Sequence, residues 1–92
     1  MTGSALVTGA RRGIGKAIAL ALADAGFDVA VADVAASEEL EAVADAIRGR
    51  GRKAVAIAGD IAAVETHAIL LDAAEQALGP LTTLVNNADW TA

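Results

Sequence analysis

The sequence predicts an α/β fold in which helices cover both faces of a parallel, doubly wound sheet. Short apolar runs rich in alanine and valine alternate with longer segments whose apolar residues recur at helical spacing. This alternation is typical of βαβ units. A glycine-rich turn also follows the first apolar run, where a strand would pass into a helix. Right-handed crossovers fix the hand of each βαβ unit. The expected order of the four strands is 3-2-1-4, as in doubly wound sheets.

The first βα unit is predicted as a strand over residues 5–8 and a helix over 13–25. Gly26 ends this helix, and a second strand follows over 28–33. Residues on one face of the helix recur at helical spacing, so we expect them to pack on the sheet. This predicted inner face comprises Ile14, Ile18, Ala21, Leu22 and Ala25.

The second helix has clear signals at both ends. Ser37 is a suitable N-cap, and Gly49 with Gly51 ends the helix. Acidic residues occupy its first turn and Arg48 lies near its last turn, as the helix dipole favours. The first-turn acids are Glu38 and Glu39, and the predicted inner face comprises Leu40, Val43, Ala44 and Ile47.

The last part of the chain is predicted as a strand over 53–58, a helix over 64–78 and a strand over 81–86. Gly79 and Pro80 end this third helix. The fourth strand would lie at the edge of the sheet, although its Leu-Val pair is typical of a central strand. The predicted inner face of the third helix comprises Leu70, Leu71, Ala74 and Leu78.

The composition excludes several classes of protein. Ninety-two residues suffice for one domain, and a hydrophobic content of 55% excludes a disordered chain. A net charge of −5 disfavours a nucleic-acid surface. Cysteine is absent, which excludes disulfides and thiolate metal sites. No apolar run approaches a membrane span, and no signal peptide is evident. We expect a cytoplasmic chain without a metal, a nucleic-acid partner or a membrane partner.

The glycine-rich turn, residues 8–15 (TGARRGIG), has the chemistry of a phosphate site. Gly9 would let the chain leave the strand with a positive φ. Gly13 and Gly15 would keep the first helical turn bare, where unpaired amides and the helix dipole attract an anion. A pyrophosphate fits this pattern. A tight strand–helix turn without a ligand is the alternative.

The phosphate loop of nucleotide triphosphatases is excluded by two positions. That motif would end at Lys16 and would require a glycine at position 10 and a serine or threonine at position 17. Alanine occupies both positions. The turn therefore offers no hydroxyl for a magnesium ion.

Polar residues follow the later strands. Asp33 closes the second strand 18 residues after Gly15, where a carboxylate could accept hydrogen bonds from ribose hydroxyls. Asp60 follows the third strand and could accept from an adenine amino group, although its spacing alone favours a helix cap. Asn86 and Asn87 follow the fourth strand as either a ribose contact or a polar turn.

Together, the TGARRGIG turn, Asp60 and the segment 84–88 (LVNNA) resemble the short-chain dehydrogenase/reductase family. The resemblance implies a Rossmann-like fold, and in the longer parent protein hydride transfer between NAD(P) and an alcohol or ketone. It further implies that the three glycines and the Ile14 amide bind pyrophosphate, that Asp60 and Ile61 bind adenine, and that Asn86 and Ala88 line the ribose. The candidate cofactor-binding residues are Gly9, Arg11, Arg12, Gly13, Ile14, Gly15, Asp33, Asp60, Ile61, Asn86 and Ala88.

The chain departs from this family in three respects. Asp89 stands where a glycine is usual, and Thr82 replaces an aspartate that supports the glycine turn. Family members exceed 200 residues, and their catalytic Ser, Tyr-x-x-x-Lys pair and helical Asn lie beyond the fourth strand. This chain contains no tyrosine. We therefore expect residues 1–92 to be a partial NAD(P)-binding domain, inactive alone, from a homo-oligomeric parent. A non-catalytic nucleotide-binding or interaction module and a truncated product are the alternatives.

Two residues give conflicting indications about the cofactor. Family members that prefer NADP often carry a base at the position of Arg12, where it meets the 2′-phosphate. Asp33 would instead accept from the NAD ribose and repel a phosphate, and Val34 supplies no neutralising base. We expect NAD to be favoured over NADP.

Overall fold

The computed structural model describes residues 3–35, 37–59 and 64–85, except the side chains of 64–67. Strands and helices alternate as the sequence predicts. The helix over 64–78 and the strand over 28–33 have the predicted bounds. The fourth strand is shorter than predicted, and Asn86 lies outside the described residues. The elements are β1 Ser4–Thr8, α1 Gly13–Asp24, β2 Asp28–Asp33, α2 Glu38–Arg48, β3 Ala54–Ala58, α3 Val64–Leu78 and β4 Thr83–Val85.

The four strands form one parallel sheet in the order β3-β2-β1-β4, which confirms the predicted order. In this register Leu6 lies opposite Ala30 of β2 and Leu84 of β4. The order reverses between β1 and β4, because the chain leaves β1 towards β2 and later returns to the other side of β1. Because the strands are parallel, their carboxyl ends all lie at one end of the sheet. Ligands bind in folds of this type at the point of that end where the strand order reverses.

Alternate residues of each strand face opposite layers. On one side, Val7, Val29 and Val31 pack in a buried cluster with residues of α1 and α2. On the other side, Leu6 of β1 joins a second cluster with residues of α3. Helices therefore cover both faces, as predicted. None of the three described helices combines the length and the apolar character that crossing a bilayer requires.

The predicted inner face of α1 is partly wrong. The buried residues of α1 are Gly15, Ala19 and Ala23, while Ile18 and Leu22 pack at the margin of the core. The other three predicted residues lie outside: Ile14 is 72% exposed, and Ala21 and Ala25 are also exposed. The buried residues of α1 are thus a glycine and two alanines, whose small size allows the helix backbone to approach the sheet closely.

The inner face of α2 is confirmed in full, since Leu40, Val43, Ala44 and Ile47 are all buried. In α3, Leu70 and Ala74 are buried and Leu78 packs against them, as predicted. Leu71 is the exception, because it is 37% exposed. Leu71 lines a shallow groove beside β4. The same groove is also lined by Leu81 and Leu84.

Candidate nucleotide-binding site

The glycine-rich turn leaves β1 in the conformation that its sequence predicts. Gly9 and Gly13 have φ values of 62° and 63°, in the left-handed region that a Cβ opposes. A Cβ placed on Gly13 would meet no heavy atom within 4 Å. The surface at Gly13 is therefore open, and an incoming group could approach the backbone there.

The amino terminus of α1 is free of the usual side-chain cap. Arg12 is the N-cap residue, with extended backbone, and its side chain makes no capping hydrogen bond. The first turn of α1 contains no acidic residue. The amide of Lys16 donates to the carbonyl of Arg12 at 3.4 Å, so the helical ladder begins only after the turn's last glycine. The amides before Lys16 have no partner in that ladder, and the helix dipole adds positive potential there.

Hydrogen bonds attach the glycine turn to the end of β2. The buried Ala10 donates its amide to the carbonyl of Ala32 at 3.1 Å. The Arg11 amide makes a longer contact, at 3.5 Å, with Oδ2 of Asp33. The Val34 amide donates to Oδ1 of the same carboxylate at 2.8 Å. These contacts fix Asp33 beside the turn, with lone pairs left to accept further hydrogen bonds.

The Arg11 guanidinium lies between two carboxylates. Its Nε is 3.7 Å from Oδ2 of Asp33, and its Nη1 is 3.1 Å from Oε1 of Glu39 in the first turn of α2. The prediction that Asp33 has no neighbouring base is wrong, because Arg11 supplies one. Arg12, which was considered as the phosphate-binding base, is exposed and makes no ion pair with a described residue.

A small cleft opens at the carboxyl ends of the first three strands. Its walls come from the ends of β1 and β2, from the residue after β3 and from α3. The Gly59 amide donates to the Asp33 carbonyl at 2.9 Å, which joins the ends of β2 and β3. On the β4 side, the Thr8 hydroxyl donates to the Val85 carbonyl at 3.4 Å. The cleft is lined by Thr8, Gly9, Ala32, Asp33, Val34, Gly59 and Leu70.

The structure therefore brings seven of the predicted site residues together in the turn or at the adjoining end of β2: Gly9, Arg11, Arg12, Gly13, Ile14, Gly15 and Asp33. The remaining predicted residues, Asp60, Ile61, Asn86 and Ala88, lie outside the described residues, as does Asp89.

Thr82 does not support the glycine turn. Its amide and its hydroxyl both donate to the carbonyl of Ser4, at 2.9 and 3.1 Å. Ser4 begins β1, whereas the turn follows the other end of that strand. Thr82 therefore joins the amino ends of β1 and β4, and neither of these hydrogen bonds reaches the glycine turn.

Glu39 is the site residue that sequence reasoning missed. Its position in the first turn of α2 had suggested only a favourable interaction with the helix dipole. A further signal was available: α2 begins directly after β2, and β2 lies beside β1 in the predicted order. The first turn of α2 must therefore start close to the glycine turn, within reach of Arg11.

A model of the short chain dehydrogenases matches residues 4–91. The chain belongs to the short-chain dehydrogenase/reductase family. The predicted family is thereby confirmed, and the fold agrees with it. The 3-oxoacyl-[acyl-carrier-protein] reductase FabG of Staphylococcus aureus is 47% identical over 92 residues, which cover 99% of this chain and 37% of that protein.

Solved structures of the family superpose closely on this chain. A 3-oxoacyl-[acyl-carrier protein] reductase from Brucella melitensis, in complex with NAD, is 46% identical with a TM-score of 0.87, covering 100% of this chain and 35% of the other. A short-chain type dehydrogenase/reductase from Mycobacterium marinum is 42% identical with a TM-score of 0.88, covering 98% and 36%. This dehydrogenase/reductase chain thus spans little more than a third of the length of the relatives it matches.

Proposed function

We propose that this chain supplies the nucleotide-binding part of an oxidoreductase that transfers hydride between NAD(P) and an alcohol or ketone. The observation that carries the proposal is the glycine turn with its two left-handed glycines, fixed beside Asp33 at the carboxyl edge of the sheet. The similar reductase from Brucella melitensis, whose structure contains NAD, supports it.

The pyrophosphate would lie at the amino terminus of α1. Two features of the chain favour this position: the open surface over Gly13 and a helix start without a capping side chain or a first-turn acid. An anion there would accept hydrogen bonds from the first-turn amides. Gly15 is buried in α1, so the third glycine would serve close packing of the helix.

The adenosine would lie towards β2 and β3. Asp33 is held by two backbone amides and would accept from the ribose hydroxyls. The cleft beside it is also lined by Val34, which is 61% exposed, and a flat adenine ring could pack against that side chain. By family resemblance, Asp60 and Ile61 would complete the adenine contacts, and Asn86 and Ala88 would line the ribose.

NAD would be the preferred cofactor. Arg11 carries one positive charge between two carboxylates, Asp33 and Glu39, so the three groups together have a net charge of −1. A 2′-phosphate placed beside Asp33 would bring further negative charge into this group. The hydride transfer itself would be the chemistry that the nicotinamide supplies when bound.

Calorimetry with ADP and with adenosine tests the proposal, since only ADP carries the pyrophosphate. We expect the chain to bind ADP more tightly than adenosine. Gly13→Ala would place a methyl group in the open surface at the turn and weaken ADP binding at least about tenfold, the scale of losing one or two charge-assisted hydrogen bonds. Binding of adenosine should change little.

Gly51→Ala is the matched control. Gly51 also has a positive φ, of 80°, and its Cβ would likewise meet no heavy atom within 4 Å. It lies after α2 and before β3, at the opposite edge of the sheet. The two variants share the backbone strain, but Gly51→Ala should retain ADP binding. An unmodified chain that fails to bind ADP, or equal affinities in the two variants, would contradict the proposal.

A further inference from the structure

Glu39 makes the shortest contact of the Arg11 side chain. The Nη1–Oε1 distance to Glu39 is 3.1 Å, whereas the Nε–Oδ2 distance to Asp33 is 3.7 Å. The Glu39 side chain is 54% exposed and that of Arg11 is 35% exposed, so water screens the pair only in part. The closer of these two carboxylate contacts of the guanidinium is thus the one with the first turn of α2.

The local charges make this contact important for any ligand at Asp33. Without Glu39, Arg11 and Asp33 would balance each other, and the guanidinium would be available to a second anion. Arg11 could then form paired hydrogen bonds with a phosphate, for which its planar fork is well suited. With Glu39 present, the guanidinium already has a carboxylate partner at each of two nitrogens.

We propose that Glu39 is a specificity-determining residue, which holds Arg11 and thereby disfavours a 2′-phosphate on the adenosine ribose. This inference rests on the proposed nucleotide site. Glu39 acts through Arg11 and need not touch the cofactor. A nucleotide with a free 2′-hydroxyl needs no contact with Arg11, because that hydroxyl can donate to Asp33. A 2′-phosphate would have to compete with Glu39 for the guanidinium.

Calorimetric titrations of the full chain with NAD and with NADP test the inference, because the two ligands differ only in the 2′-phosphate. Glu39→Gln should raise the NADP affinity relative to NAD by about two- to fivefold, the scale of one partly exposed ion pair. The affinity for NAD should stay close to that of the unmodified chain. The rise should shrink in high salt, because screening weakens charge pairs at the surface.

Two variants separate this role from a general change in charge. Glu41→Gln removes one negative charge from the same helix, and Glu41 makes no ion pair with a described residue. This variant should leave the ratio of the NADP affinity to the NAD affinity unchanged. In an Arg11→Gln background, Glu39→Gln should no longer raise the ratio, because the residue through which it acts is gone.

The outcomes distinguish this inference from the proposed function. If the unmodified chain binds neither dinucleotide, the proposed site is wrong and the inference falls with it. If the chain binds NAD but Glu39→Gln leaves the ratio unchanged, only the role of Glu39 is overturned. An equal rise in Glu41→Gln, or a full rise without Arg11, would also overturn it.

Discussion

Gly3 and Thr82 show how one pair of residues fixes the position of β4 beside β1. The Thr82 hydroxyl donates to the Ser4 carbonyl at 3.1 Å, which brings its side chain against the backbone of Gly3. A Cβ on Gly3 would overlap the Thr82 side chain, because Cγ2 of Thr82 would lie only 2.7 Å from that Cβ. Gly3 is therefore required for close approach. No left-handed backbone is involved, since its φ is not positive.

We expect Gly3→Ala to destabilise the fold by about 1–3 kcal/mol, because the Thr82 side chain must rotate and lose its hydrogen bond. Urea unfolding followed by circular dichroism measures the change. Gly49→Ala is the control: its Cβ would make ordinary contacts, at 3.4 Å or more, and its φ of −63° suits alanine. Thr82→Ala should partly restore the stability of Gly3→Ala. Equal stability of Gly3→Ala and Gly49→Ala would contradict this account.

At the scale of elements, α1 and α2 begin in contrasting ways. Ser37 caps α2, since its hydroxyl accepts from the Leu40 amide at 3.1 Å, and the first turn adds acidic residues. No side chain caps α1, and its first turn has no acid. The helix whose start is stabilised by its own side chains is structural. The helix whose start is left open faces the candidate phosphate site.

Ser37→Ala should cost about 1 kcal/mol of stability, because the Leu40 amide loses its partner at the helix start. Ser37→Asn, which retains a capping oxygen, should stay close to the unmodified chain. Urea unfolding of the three proteins measures both effects. If alanine and asparagine at position 37 gave the same stability, the cap would not contribute as the structure indicates.

At the scale of the molecule, β4 is an edge strand of the sheet. In the part of the chain that the structure describes, no strand pairs with the outer edge of β4. Leu84 is 57% exposed there, although its partner in register, Leu6, is buried in the cluster under α3. The Leu-Val pair that suggested a central strand thus lies at an edge. An exposed apolar edge favours pairing with another chain.

We expect the 92-residue chain to self-associate, and Leu84→Lys to shift it towards the monomer, because a charged edge strand resists pairing. Sedimentation velocity at several micromolar concentrations measures the distribution. Ile69→Lys is the control, since Ile69 is an exposed apolar residue of α3 that does not line the groove beside β4. A monomeric unmodified chain, or equal effects of the two lysines, would contradict the prediction.

The order of the elements, the strand order and the place of the glycine turn could all be predicted from the sequence alone. These follow from local patterns: periodicity sets the type of each element, and the handedness of crossovers limits how parallel strands can be arranged. The left-handed backbone at Gly9 could be predicted in the same way, because few other residues adopt it. The position of Asp33 beside the turn followed from the predicted pairing of the first two strands.

The residues of α1 that face the sheet could not be predicted and became known from the packed fold. Ile14 and Ala19 are both apolar and lie on different faces of the helix, and the rotation of α1 against the sheet buries Ala19 and exposes Ile14. The strand order places Asp33 and Glu39 near Arg11, but the ion pairs themselves were found only in the folded structure, because these partners are 22 and 28 residues away along the chain. Such contacts depend on side-chain directions that are fixed only once α2 has packed beside the turn.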